Sequence, residues 1–198
     1  MTKLLQSAPL FPLNALVCPG GRLPLRVFEQ RYLEMVSTSM RSGSGFVVVM
    51  LKPKSQRDAE QGGHPFYRTG TLVNIVDFGH SEHALRVTAE GRVRVHIESA
   101  QRRADGLWIG QLEVADEEAF VPIPERYEDL ANVLKALVQH PMVEALNLAI
   151  DFDDCRQVGW RLTELLPLEN AQKQHLLEMT DPLYRLQRIS DQLIRMMS

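Results

Sequence analysis

The hydrophobic period of this chain changes once, near residue 120, and that change restricts the fold more than any other feature of the sequence. Before it, apolar residues tend to recur at every second position, as in half-buried strands. From Tyr127 onward they recur about every 3.6 residues, as along one face of a helix. The intervening stretch Ala115–Pro124 holds Asp116, Glu117, Glu118, Pro122 and Pro124, a composition that interrupts both patterns. An α+β chain is therefore expected, with a β-rich subdomain over residues 1–120 and an α-helical bundle over residues 121–198.

In the first part, Ala8–Leu13 reads as a short strand bounded by prolines, and Leu23–Phe28 as a second one after the turn Pro19-Gly20-Gly21. Tyr32, Leu33 and Val36 recur at helical spacing within Glu29–Met40, and Gly43 offers a stop. The continuous apolar run Phe46–Leu51 is short and β-branched, which predicts a strand buried on both faces. Polar Lys52–Pro65 reads as a loop. Strands are then predicted over Thr69–Phe78 and His83–Thr88, joined by the turn Gly79-His80-Ser81-Glu82. After Gly91 the stretch Arg92–Glu98 alternates, with Val93, Val95 and Ile97 inward and Arg92, Arg94, His96 and Glu98 outward. Asp105-Gly106 signals a hairpin, with Leu107–Val114 returning.

In the second part, Tyr127, Leu130, Val133, Leu134, Leu137 and Val138 form one stripe, which Pro141 ends. Val143–Ile150 is a shorter helical candidate. Asp153 or Asp154 can cap the helix that carries Val158, Leu162, Leu165 and Leu166 and stops before Pro167. Glu169–Met179 forms another helix. Asp181-Pro182 starts the last one, with Leu186, Leu193 and Ile194 expected to face inward.

Composition narrows the function. The net charge is −3, with 14 basic against 13 acidic residues in 1–120 and 8 against 12 in 121–198, so no global field draws the chain to nucleic acid or an anionic membrane. Two cysteines, Cys18 and Cys155, lie far apart and outside any CxxC spacing, which disfavours disulfides and structural zinc and fits a reducing cytoplasm. Neither a signal-peptide core nor an apolar run of about 20 residues is present, so a soluble cytoplasmic protein is expected. No lysine directly follows a glycine, which removes the phosphate-cradling GxxxxGK[ST] loop.

The opening Ala8-Pro9-Leu10-Phe11-Pro12-Leu13, followed by Pro19-Gly20-Gly21-Arg22-Leu23-Pro24-Leu25-Arg26-Val27-Phe28-Glu29-Gln30-Arg31-Tyr32, resembles the start of the N-terminal domain of ATP-dependent Lon proteases. Gly91–Ile97, Trp160–Leu168, Gln172–Glu178 and Asp181-Pro182-Leu183 extend the resemblance in order along nearly the whole chain. Gln30 stands where that family commonly has proline, and Val95 where it has phenylalanine; both read as packing variants. The resemblance implies a small PUA-like β-barrel of about six strands and one helix followed by a helical bundle. It also implies a stand-alone, non-catalytic module that recognises unfolded or extended polypeptide, with a protease or chaperone system as its partner and no cofactor. A PUA-like small-molecule or RNA-binding module is the alternative.

Individual candidates divide between chemistry and folding. Arg26, Glu29 and Arg31 could line a binding loop, but Leu25, Val27 and Phe28 read as core and Glu29 as a helix start. His80, Glu82 and His83 resemble metal ligands, yet a hairpin tip lacks the second shell of a real site, and no metal is expected. Carboxylates beside Cys155 would raise its pKa and blunt its reactivity. Arg92, Arg94, Arg102 and Arg103 could grip RNA, but Glu90 and Glu98 dilute them and no aromatic stacks nearby, so a solvated strand face is expected. The loop Lys52–Pro65 is the remaining site. Arg57 and His64, with Phe66 and Tyr67 as anchors, suit contact with extended polypeptide, and the same segment also suits an insertion without a role.

Overall fold

The computed structural model describes residues 6–54, 63–81 and 84–197. The chain divides into two compact units, Met1–Ala115 and Asp116–Ser198. The first contains β1 (Gln6–Leu13), β2 (Arg22–Val27), α1 (Gln30–Ser42), β3 (Phe46–Leu51), β4 (Phe66–Ser81), β5 (Ala84–Arg102) and β6 (Trp108–Val114). The strands hydrogen-bond in the order β2-β5-β4-β3-β1-β6, and β6 pairs again with β5. Five strands thus form a closed ring, with β2 attached outside it. The length of β5 makes this possible: residues 85–90 of one edge pair with β2 and residues 95–102 with β6, while β4 runs along the other edge.

Two prolines lie inside β1, where a missing donor would ordinarily break the ladder. The register resolves this. Residues 6–10 pair with β6 and residues 10–13 with β3, so only Leu10 has a partner strand on both sides. Pro9 and Pro12 each occupy a half of the strand with one open side, where the absent N–H leaves no bond unmade.

The hairpin is longer than the sequence suggests. Gly79, His80 and Ser81 belong to β4, paired with Arg86, Leu85 and Ala84, while Glu82 of the expected turn and His83 of the expected return strand lie outside the described residues. Gly91 likewise sits within β5 and separates no strands. Its backbone approaches residues 18–21, with Gly20 N–H donating to Gly91 O at 2.8 Å and Gly91 N–H to Gly21 O at 2.9 Å. A Cβ there would lie 2.1 Å from Cys18 O, so no side chain fits.

Both faces of the sheet are covered by apolar cores. On one, α1 lays Tyr32, Met35, Val36 and Ser39 inward at i, i+3, i+4 and i+7, against residues such as Phe11, Val27 and Phe46. Gly43, left-handed at φ 69°, closes this helix with its N–H on Ser39 O. The other face gathers Leu10, Val47, Val49, Phe66, Val95 and Leu112. Two-sided packing corrects the expected alternation on β5. Arg92, His96 and Glu98 are exposed, but Arg94 is buried, because Thr71 opposite it and Val48 beyond are buried too.

The second unit follows a 3₁₀ turn (Glu125–Tyr127) with α2 (Glu128–Leu137), α3 (Pro141–Glu144), α4 (Cys155–Leu165), α5 (Asn170–Glu178) and α6 (Pro182–Met197). Asp154, rather than Asp153, caps α4 by accepting from Arg156 N–H at 2.9 Å. Asp181 Oδ1 accepts from Leu183 and Tyr184 N–H, and Glu169 and Gln172 form a reciprocal capping box on α5. Pro141 starts a turn of helix, capped by His140, whereas α2 has already ended at Leu137. Of the helix expected over Val143–Ile150 only Val143 and Glu144, the end of α3, are helical. Asn147 takes a left-handed φ of 48°, and Leu146, Leu148 and Ile150 turn partly inward at every second position, an extended rhythm. Val133 and Ile194, expected inward, are exposed.

At the centre of this unit lies Arg185, wholly buried. Its Nη1 and Nη2 donate to Glu118 Oε2 at 3.0 Å and Oε1 at 2.5 Å. Nη2 also donates to Met179 O and Nε to Leu176 O, while the guanidinium carbon lies 3.3 Å from the centroid of the Trp160 ring. Every face of the cation is therefore matched.

Candidate functional site

The first unit carries an open cleft of about 370 Å³ where the ends of β1, β2 and β3, the start of α1 and the β5–β6 turn converge. Its buried floor includes Phe11, Val27 and Tyr32, with Phe11 and Tyr32 ring centroids 4.2 Å apart. Leu51, Pro65 and Trp108 add an apolar wall. Phe28 lines the cleft and is 69% exposed. Strand alternation explains this. Leu25 and Val27 point inward, so Arg26 and Phe28 point outward, and Phe28 is not the core residue that its type suggests.

The charged groups of the cleft are Arg26, Glu29, Arg31 and Arg102. Glu29 occupies the N-cap position of α1 without a capping bond and instead pairs with Arg31 Nη2. Arg31 Nη1 and Arg102 Nε both donate to Gly106 O, at 3.2 Å and 3.3 Å, which fixes the β5–β6 turn beside the helix start. The Arg31 guanidinium also lies over the Tyr32 ring at 4.8 Å. Burial pushes the Tyr32 phenol above its ordinary pKa, and Arg31 partly offsets the shift. The lining combines apolar side chains, three arginines, one carboxylate and one phenol. Such a set offers apolar surface and charged hydrogen-bond donors, and among the described lining residues no nucleophile stands beside a base.

The loop residues singled out in the sequence lie beside this cleft or outside the described residues. Arg57 is among the latter. Lys52 N–H donates to Pro65 O at 2.9 Å and closes the base of the loop. His64 stacks parallel on Phe66 at 5.4 Å and meets the edge of Trp108 at 5.5 Å. Desolvation first, then Arg68 and Lys52, lowers the His64 pKa. Phe66 is fully buried, so it acts by holding His64 and Trp108 in place, and Tyr67 is half-buried. The sequence reading missed Phe28, Trp108 and Arg102 as neighbours. An aromatic at the outward position of a strand was the one available signal.

Among the described residues no three His, Cys, Asp or Glu side chains are grouped so as to hold a metal ion. Nor is any described helix long and apolar enough to cross a membrane. Cys18 and Cys155 are buried and not joined in a disulfide, and burial together with Asp154 pushes Cys155 up to about 11.

A mostly closed six-stranded sheet with one helix, bearing an apolar cleft and followed by a helical unit, is an α+β architecture. The chain matches the ATP-dependent protease La (LON) substrate-binding domain over residues 7–195 and belongs to that family. It is similar to a Lon N-terminal domain protein from Xanthomonas campestris, whose crystal structure superposes with a TM-score of 0.76 at 32% identity, covering 94% of this chain and 98% of that one. The N-terminal domain of Lon protease from the Mycobacterium avium complex shares the fold, with a TM-score of 0.63 at 17% identity over 94% and 97% of the two chains. Comparison with curated protein sequences gives no match.

Proposed function

We propose that the chain is a non-catalytic recognition module that takes extended or unfolded polypeptide into the cleft between β1, β2 and α1, and serves as a cytoplasmic adaptor or regulator of proteolysis. The exposed Phe28 at the edge of an apolar, aromatic-floored cleft carries this reading, since a large side chain left in water is the kind of group that a partner covers. Membership of a substrate-binding family supports it independently. His64, Phe66 and Tyr67 then flank the wall at Pro65 and Trp108, with Phe66 acting through the rings that it supports. The RNA-binding alternative loses ground because Arg94, one of the four arginines it calls on, is buried.

The test is hydrogen exchange with and without excess of a reduced, alkylated polypeptide. Protection should appear at residues 26–32 and 64–67. Phe28→Ser should weaken binding about tenfold, in keeping with truncation of an interface aromatic, without lowering the melting temperature. Absence of protection anywhere at concentrations well above a weak Kd refutes generic unfolded-chain recognition.

A further inference from the structure

We infer that the cleft selects segments in which an aromatic or aliphatic side chain is flanked by aspartate or glutamate side chains, a refinement that rests on the polypeptide-binding reading. Among the described residues lining the cleft, Arg26, Arg31 and Arg102 face a single carboxylate, Glu29, an excess of two positive charges on a chain whose net charge is −3. Glu29 is already engaged by Arg31. Among the described residues Arg102 has the Gly106 carbonyl as its acceptor and no carboxylate, and exposed Arg26 has no hydrogen-bonding partner. Arg31 Nε is buried without a hydrogen-bond acceptor.

Guanidinium groups beside an apolar floor are half of a pairing that a ligand completes, with the apolar side chain on Phe11 and Val27 and the carboxylates on Arg26 and Arg102. The wall is formed by Leu51 and Pro65 as well as Trp108, which suits a side chain inserted into a cleft better than a base stacked on a flat platform. Polypeptide is therefore favoured over single-stranded nucleic acid.

The experiment measures anisotropy of labelled peptides of equal length with both ends blocked, carrying a central Leu-Phe pair flanked by Glu, Gln or Lys. The Glu peptide should bind about five- to tenfold tighter than the Gln peptide, the effect of two partly exposed charge pairs, and the Lys peptide weakest. Raising salt from about 50 mM to about 300 mM should shrink the difference. Arg26→Glu, which breaks no internal bond among the described residues, should abolish the preference by weakening the Glu peptide far more than the Gln peptide. Equal binding of the three peptides overturns the acidic preference and leaves polypeptide recognition standing. Affinity that appears only with a free C-terminal carboxylate, or displacement of the Glu peptide by a single-stranded oligonucleotide at equal concentration, also overturns it. No binding of any peptide, together with no protection by unfolded polypeptide, removes both readings.

Discussion

Replacing Arg185 with alanine should unfold the second unit more readily than any surface change in it. The side chain is wholly buried, and the Glu118 carboxylate that it grips is 8% exposed. Removing the cation takes from that buried carboxylate its bidentate ion-pair partner, a change that costs about 3–5 kcal/mol in comparable buried pairs. Leu176 O and Met179 O lose their donor as well, at about 1–3 kcal/mol for each group that water does not reach. The stacked contact with Trp160 contributes about 2 kcal/mol when desolvated. These terms overlap and water enters the vacated space, so about 4–5 kcal/mol is the expected total. Against a typical domain stability of about 5–15 kcal/mol, that is a large share.

The two tryptophans allow a clean assay, because Trp108 lies in the first unit and Trp160 in the second. In a Trp108→Phe background, urea unfolding followed by Trp160 fluorescence reports on the Arg185 environment. Arg185→Lys keeps the charge and loses the fork, so it should fall between wild type and alanine. Arg185→Met combined with Glu118→Leu should recover much of the loss, since a matched apolar pair leaves no charge stranded. A loss below about 1 kcal/mol for alanine, or a double variant as unstable as the alanine one, would refute the account of Arg185 as a cation whose burial is matched by its partners.

Gly91→Ala places a Cβ 2.1 Å from Cys18 O and should destabilise the first unit by about 3 kcal/mol, the upper end for overpacking; a change in thermal melting no larger than that of a surface substitution refutes the close approach. The fold lowers the pKa of His64 from 6.5, so the unfolded chain binds its proton more readily. Its contribution to stability is whole above 6.5 and shrinks as pH falls below that value, so His64→Phe should flatten this part of the pH–stability profile, and an NMR titration midpoint at or above 6.5 contradicts the assignment. With its pKa near 11, Cys155 should resist alkylation at about pH 8 until the second unit unfolds, and rapid labelling of the native protein by mass spectrometry excludes this.

The local periods of the chain determined which segments became strands and which became helices. Alternation over Arg92–Glu98 marked part of β5, the Asp105-Gly106 hairpin signal marked β6, a 3.6-residue stripe marked α2, and Asp181-Pro182 marked the start of α6, because each signal is carried by neighbours in sequence. The order of quoted motifs likewise carried the family, which the match over residues 7–195 bears out. Alternation also contained the direction of Phe28, although its residue type pointed the other way. Tertiary structure decided the rest. Arg94 lies inside because both faces of the sheet are covered there, and Pro9 and Pro12 are tolerated because β1 changes partners at Leu10. The apolar run after Pro141 became extended beyond a single turn once Asn147 turned left-handed. Arg185 meets Glu118 across 67 positions of sequence, and Arg31 meets Gly106 across 75. No period encodes such pairings: a period records which way a side chain points, whereas the partner is chosen by long-range packing.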